Sequence, residues 1–134
     1  MDTLRHARVG RLATADAGGQ PLVVPVCYAF DGETIYSAVD AKPKRTRDLR
    51  RLRNVRDNPR VSLVIDEYDE DWTRLSWVIV EGAADVLEDG AAFTRAIDLL
   101  LAKYPQYRAM GLARESGAVV RIRPARILTW RFAG

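Results

Sequence analysis

The sequence is poor in the residues that most often carry chemistry. Among 134 residues there is one histidine, His6, and one cysteine, Cys27. A zinc site needs three or four such ligands, so no metal centre is expected. A single cysteine cannot close an internal disulfide, which fits a reducing, cytoplasmic compartment. No apolar run approaches the ~18 residues that cross a bilayer, so no membrane-spanning segment is expected. The opening MDTLRHARVGRLAT lacks the apolar core of an export signal. No glycine-rich dinucleotide loop, Walker loop or Gly-x-Ser-x-Gly elbow is present. His6 and Cys27 could form a nucleophilic pair on paper, but a cysteine in an apolar strand is more often a small core residue.

What is present is an ordinary globular composition, 48% hydrophobic and 29% charged, in a length that suits one domain over residues 1–134. The charge is not evenly spread. Between residues 42 and 60 lie nine cations, Lys42, Lys44, Arg45, Arg47, Arg50, Arg51, Arg53, Arg56 and Arg60, opposed only by Asp48 and Asp57. That segment carries 9 − 2 = +7 in a chain of net +3, so the remainder sums to −4. Positive charge is concentrated where a strand hands over to a helix, as an anion such as phosphate would require.

Turn residues divide the rest. Strands are expected over 9–15, 22–30 and 34–39, joined at Asp16-Ala17-Gly18-Gly19 and at Asp31-Gly32 into an antiparallel meander. Pro25 cannot donate a ladder hydrogen bond, which puts its strand at an edge or beside a bulge. A helix then starts near Pro43, with Thr46 as N-cap and Asp48 in the first turn, and ends at Asn58-Pro59. Its apolar stripe is Leu49, Leu52 and Val55, with arginines on the remaining faces. Strands follow over 61–65 and 75–87, the second bent or bulged at Gly82. A second helix spans 91–104, where Ala92, Phe93, Ala96, Ile97, Leu100 and Leu101 recur at helical steps. One more helical turn is expected over 107–112, then strands over 119–122 and 127–132 split by Pro124. Hairpin-linked strands with isolated helices argue against a doubly wound parallel sheet. They fit a mainly β (α+β) antiparallel barrel with two or three helices packed on it.

A helix N-terminus offers unpaired N–H groups and about half a positive charge. Lys42, Lys44, Arg45 and Thr46 add side-chain donors there. Three readings fit: a solvated basic helix balanced by the acidic residues 66–71, a site for a small anion, or a nucleic-acid contact. The last is disfavoured because no helix-turn-helix pair or aromatic platform accompanies the arginines. Tyr68, Trp72 and Trp77 flank the acidic loop, either as packing or as a ligand-facing wall at a subunit boundary. Trp130 could face either way.

The order of these segments carries a resemblance. RLAT, a turn, PLVVPVCYAFDGETIYSAV, the basic helix, NPRVSLVID, SWVIVEGAADVL and a closing IRPARILTW resemble the pyridoxamine 5′-phosphate oxidase-like split β-barrel flavoproteins, over roughly residues 7–132. Within them the KPKRT and YDEDW segments are similar to the branch that uses the deazaflavin coenzyme F420. The resemblance implies a homodimer with two cofactor sites at its interface, and an oxidoreductase that moves hydride from the reduced coenzyme to a small organic substrate. FMN is the alternative cofactor. The resemblance assigns the flavin ring to the backbone of Val24, Pro25, Val26 and Cys27, and the phosphate to Lys42, Lys44, Arg45 and Thr46. Arg47, Arg50 and Arg51 would serve a longer anionic tail, and Trp77 would wall the pocket, from the partner subunit. The family's phosphate-holding lysine maps to Arg51 when counted back from Pro59 and to Lys44 when counted from the strand; Lys44, beside the helix start, is favoured. Residues that hold pyridoxal phosphate in true oxidases find no match, so vitamin B6 synthesis is not implied.

Overall fold

The structure is a computed structural model that describes residues 2–39, 46–110 and 117–133. Seven strands form one antiparallel sheet in the order β2-β1-β5-β6-β7-β4-β3. β1 (Gly10–Ala15) and β2 (Pro21–Val26) make one hairpin, and β3 (Ala29–Phe30) and β4 (Ile35–Val39) a second. β5 (Arg60–Glu67) and β6 (Ser76–Leu87) make a third, and β7 (Ala118–Arg131) lies between β6 and β4.

This order forces a curl. The outermost strands, β2 and β3, are separated in sequence by Cys27 and Tyr28 alone. From Val26 to Ala29 the chain can reach only about 10 Å. The two edges of the sheet must therefore approach each other, giving a half-barrel whose seam is crossed by the chain instead of by a hydrogen-bond ladder.

Two sequence expectations change here. Residues 22–30 are not one strand: the chain breaks at Cys27-Tyr28 and its halves lie on opposite edges, so the first three strands form no meander. No glycine or proline marks that break. Pro25 does lie on an edge strand, where its missing N–H costs no central ladder bond. Residues 119–122 and 127–132 are not two strands either, since β7 runs straight through Pro124. β4 ends opposite Ile122, so beyond that point β7 has a free second edge that tolerates proline. The expected irregularity at Gly82 is present. Glu81 pairs with Arg126 and Gly82 with Pro124, leaving Ala125 as the extra residue. A Cβ on Gly82 would lie 2.2 Å from the Arg123 carbonyl oxygen, so the close backbone approach requires glycine.

Alternation sets the core. Leu12, Leu63, Ile65, Val78, Val80, Val120 and Ile122 point inside. α2 (Thr46–Asp57) closes this interior with Leu52 and Val55. It is docked by Asn54, whose Nδ2 donates to Thr14 Oγ1 at 3.1 Å, both residues being buried. α3 (Gly90–Lys103) packs outside, setting Phe93, Ala96 and Ile97 on Tyr36 and Val119. α4 (Gln106–Ala109) is the helical turn expected over 107–112, shifted by one residue and shorter, and α1 (Asp2–His6) is a further helix that was not expected. At four and five residues they are too short to show periodicity, yet α1 sends Leu4 fully into the core. Among the described residues no helix is long and apolar enough to cross a membrane.

Candidate cofactor site

The chain crossing at the barrel seam has no ladder partners, yet buried backbone groups need hydrogen bonds. Side chains supply them. Ser37 Oγ, on β4, donates to the Cys27 carbonyl at 2.9 Å. Lys103 Nζ, at the end of α3, donates to the Tyr28 carbonyl at 2.9 Å. The Tyr104 hydroxyl accepts from the Tyr28 N–H at 3.2 Å and lies 2.9 Å from the Arg8 carbonyl and 3.1 Å from that of Tyr28. The Tyr28 hydroxyl donates in turn to the Leu4 carbonyl of α1.

Two cations stack on the same tyrosines. Lys103 Nζ lies 4.1 Å from the Tyr28 ring centre and 5.3 Å from that of Tyr104. The Arg8 guanidinium lies 4.5 Å over Tyr104, and its Nη2 donates to the Lys103 carbonyl at 3.0 Å. Burial, helped by the Arg8 charge, pulls the Lys103 ammonium down to about 8. Burial raises all three tyrosines of this corner above their ordinary value. Tyr107, beside the Cys27 thiol, is pushed up to about 12. These hydroxyls stay neutral donors and acceptors throughout the physiological range.

The expected ring wall lies at the end of edge strand β2: Val24 half-buried, Pro25 exposed, Val26 buried, with Cys27 half-buried just beyond. Lys42, Lys44 and Arg45 fall outside the described residues. Thr46, expected as the cap, is the first residue of α2, and Arg50 is half-buried on that helix. Arg51, expected among the arginines that meet a longer anionic tail, is 7% exposed and within electrostatic reach of Tyr107. Tyr107 thus brings Cys27 and Arg51 together. Trp77 does not join them within one protomer. It lies on β6, three strands from β2, on the order of 14 Å along the sheet.

Trp77 stacks instead on its cross-strand neighbour Trp130, with ring centres 6.3 Å apart and planes at 18°. The pair borders a hollow of about 370 Å³ with Thr3, Ser76, Thr129 and Arg131. Tyr68 and Trp72 pack into no core, being 66% and 61% exposed. A larger hollow of about 650 Å³ overlies small residues of the sheet, among them Ala13, Ala15, Ser62, Gly82 and Ala83. The Cys27 thiol meets the Tyr104 and Tyr107 hydroxyls, and no hydrogen bond joins it to His6 among the described residues. Sequence reasoning missed Lys103, Tyr104 and Asn54. Their only signal was position: a lysine-tyrosine pair just ahead of Pro105, and an amide between two core-facing helical residues.

A curled antiparallel sheet, crossed at its seam and flanked by a basic helix, defines the split-barrel class. The chain belongs to the pyridoxamine 5′-phosphate oxidase family, whose profile matches residues 1–131. It is 31% identical, over 98% of its own length and 80% of the other's, to a 5a,11a-dehydrotetracycline/5a,11a-dehydrooxytetracycline reductase of Streptomyces rimosus. Among solved structures it is similar to a conserved hypothetical protein of Mycobacterium tuberculosis, with a TM-score of 0.76, 28% identity and coverage of 98% and 82% of the two chains. It is also similar to a FAD-binding protein of Mesorhizobium loti, with a TM-score of 0.74, 26% identity and coverage of 96% and 87%.

Proposed function

We propose that the protein is a reductase of the flavin and deazaflavin type, using coenzyme F420 to reduce an unsaturated or otherwise reducible small molecule. The observation that carries this is the end of edge strand β2, with the Cys27-Tyr28 crossing that follows it held by a dedicated set of side chains beside Arg51 on the basic helix. Backbone groups on an unpaired edge are available to a ligand. The chemistry supplied by the bound coenzyme is hydride donation, with a proton from solvent completing the reduction. This chain's residues bind and orient: Val24, Pro25, Val26 and Cys27 border the ring by backbone. Lys42, Lys44, Arg45 and Thr46 hold phosphate, and Arg50 and Arg51 meet further anionic groups. The Streptomyces rimosus reductase supports the reaction class. The net +7 of residues 42–60 suits a cofactor with more than one anionic group.

The working unit is a homodimer in the cytoplasm. One outer-face row, Pro25, Arg11, Val64, Ile79 and Leu128, is apolar except for Arg11. Val23 in the next row is 61% exposed, and no helix of the described chain covers this face. A second copy packed there brings its own Trp77 and Trp130 toward the first copy's ring wall. FMN is the second reading, favoured by the similarity to a FAD-binding protein.

Titration separates the two. Deazaflavin fluorescence should be quenched on adding protein, with no response from FMN; a yellow protein that binds FMN alone favours the second reading, and binding of neither refutes both. Replacing Lys44 and Arg45 together with alanine should weaken binding by about 3–6 kcal/mol, at roughly 1.5–3 kcal/mol for each charge-assisted bond. Unchanged affinity would remove the phosphate assignment.

A further inference from the structure

We infer that Lys103 is a positioning residue for the cofactor: its ammonium, seated on the Tyr28 carbonyl and on two tyrosine faces, holds the seam crossing so that the adjoining backbone of Val26 and Cys27 presents itself to the ring. The inference rests on the proposed cofactor reading, because that reading puts the ring against residues 24–27.

The seat is built for a cation. The carbonyl at 2.9 Å takes one N–H, and ring faces at 4.1 and 5.3 Å take the positive charge. Among the described residues no carboxylate pairs with Lys103. The groups that face it are Arg8 from the segment between α1 and β1, Cys27 and Tyr28 from the crossing, and Tyr104 beyond its own helix. Tyr107 of α4 stands behind Cys27. Arg8 repels the ammonium while stacking on the far tyrosine, so the cation is held by a carbonyl and two π faces against a like charge. Stabilisation of the fold alone would be met by any group that satisfies one carbonyl, which the Tyr104 hydroxyl already approaches at 3.1 Å.

The consequence is pH-dependent affinity. Lys103 titrates near 8, close to neutrality, because its seat is partly dry. Above that pH the amine loses its attraction to both rings and the crossing loosens. At pH 9 about one molecule in eleven keeps the cation, so a cofactor that needs it binds about tenfold more weakly than at pH 7. By reciprocity, bound cofactor raises the Lys103 midpoint.

The experiment combines NMR with cofactor titration on the full chain. Amide shifts of Val26, Cys27 and Tyr28 are followed from pH 6.5 to 10 with the Lys103 side-chain signal, in the wild type and in Lys103→Arg and Lys103→Met. F420 and FMN dissociation constants are measured across the same range. Expected results are a shared midpoint near that of Lys103 in the wild type, and an affinity that falls about tenfold by pH 9. Lys103→Arg should keep flat affinity and flat amide shifts, and Lys103→Met should bind weakly at every pH. Ionisation of the cofactor itself would act on Lys103→Arg as well and is thereby separated. Amides that ignore the Lys103 titration, or an alkaline loss that survives in Lys103→Arg, would overturn the inference. If neither cofactor binds at any pH, the functional reading fails, and the clamp is judged by the amide shifts, whose indifference to Lys103 would sink it too.

Discussion

Replacing Tyr104 with phenylalanine removes one oxygen from the point where the chain crosses the seam. That oxygen accepts from the Tyr28 N–H at 3.2 Å and lies within hydrogen-bonding distance of two carbonyls. The three contacts do not weigh equally. The Tyr28 carbonyl keeps Lys103 Nζ at 2.9 Å. The Arg8 carbonyl belongs to an exposed residue, where water can replace the hydroxyl. Only the Tyr28 N–H is left buried and orphaned, at a cost of about 1–3 kcal/mol. With a urea slope of about 2 kcal/mol/M, the unfolding midpoint should fall by about 0.5–1.5 M with the slope unchanged. Protein concentration must be held fixed, since dimerisation would shift the midpoint by mass action. The same substitution at Tyr107, whose hydroxyl meets the Cys27 thiol and not a backbone group of the crossing, should cost less. A loss under about 0.5 kcal/mol for Tyr104→Phe, or an equal loss at both tyrosines, would refute the claim that side chains carry the crossing.

Other substitutions have defined outcomes. Gly82→Ala should destabilise by about 3 kcal/mol or more, because its Cβ meets the Arg123 backbone and not a movable side chain; a melt within a degree of wild type would contradict the bulge geometry. Asn54→Ala leaves the buried Thr14 hydroxyl without its amide donor and should cost about 1–3 kcal/mol, whereas the double change with Thr14→Val should recover part of that loss in a double-mutant cycle. The hydrogen-bonded Arg121 guanidinium holds the Asp85 carboxyl below its ordinary value. A depressed folded-state value means the pair stabilises above the ordinary carboxylate range and loses that contribution as pH falls through the folded value. Asp85→Asn should therefore flatten acid unfolding below about pH 4, and an unchanged acid limb would dismiss the pair's role.

Much of the sheet was legible because its signals are local. Gly18-Gly19 and Asp31-Gly32 close hairpins, Asn58-Pro59 stops a helix, and Gly82 marks a bulge; each acts within a few residues of its own position. Pro25 even announced an edge. What stayed hidden depends on closure. Nothing in Val26-Cys27-Tyr28-Ala29 says that the chain leaves one edge and joins the other, because the instruction is the summed curl of seven strands. Lys103 and Tyr104 matter only once that crossing exists, so their partners lie 75 and 76 residues away. Pro124 looked like a terminator because the end of β4 opposite Ile122 is not a property of the sequence around it. The burial of Arg51 was not legible in the helical pattern, which set arginines on every face but the apolar stripe without telling them apart; packing near Tyr107 does.

The location of the coenzyme is the claim on which the functional account stands. A crystal structure of the protein grown with F420 tests it most directly. The account predicts a dimer, the deazaflavin ring against the backbone of Val24, Pro25, Val26 and Cys27, phosphate at the start of α2, and Trp77 approaching from the other protomer. A coenzyme seated on another face, or residues 24–27 covered by protein alone, would contradict it.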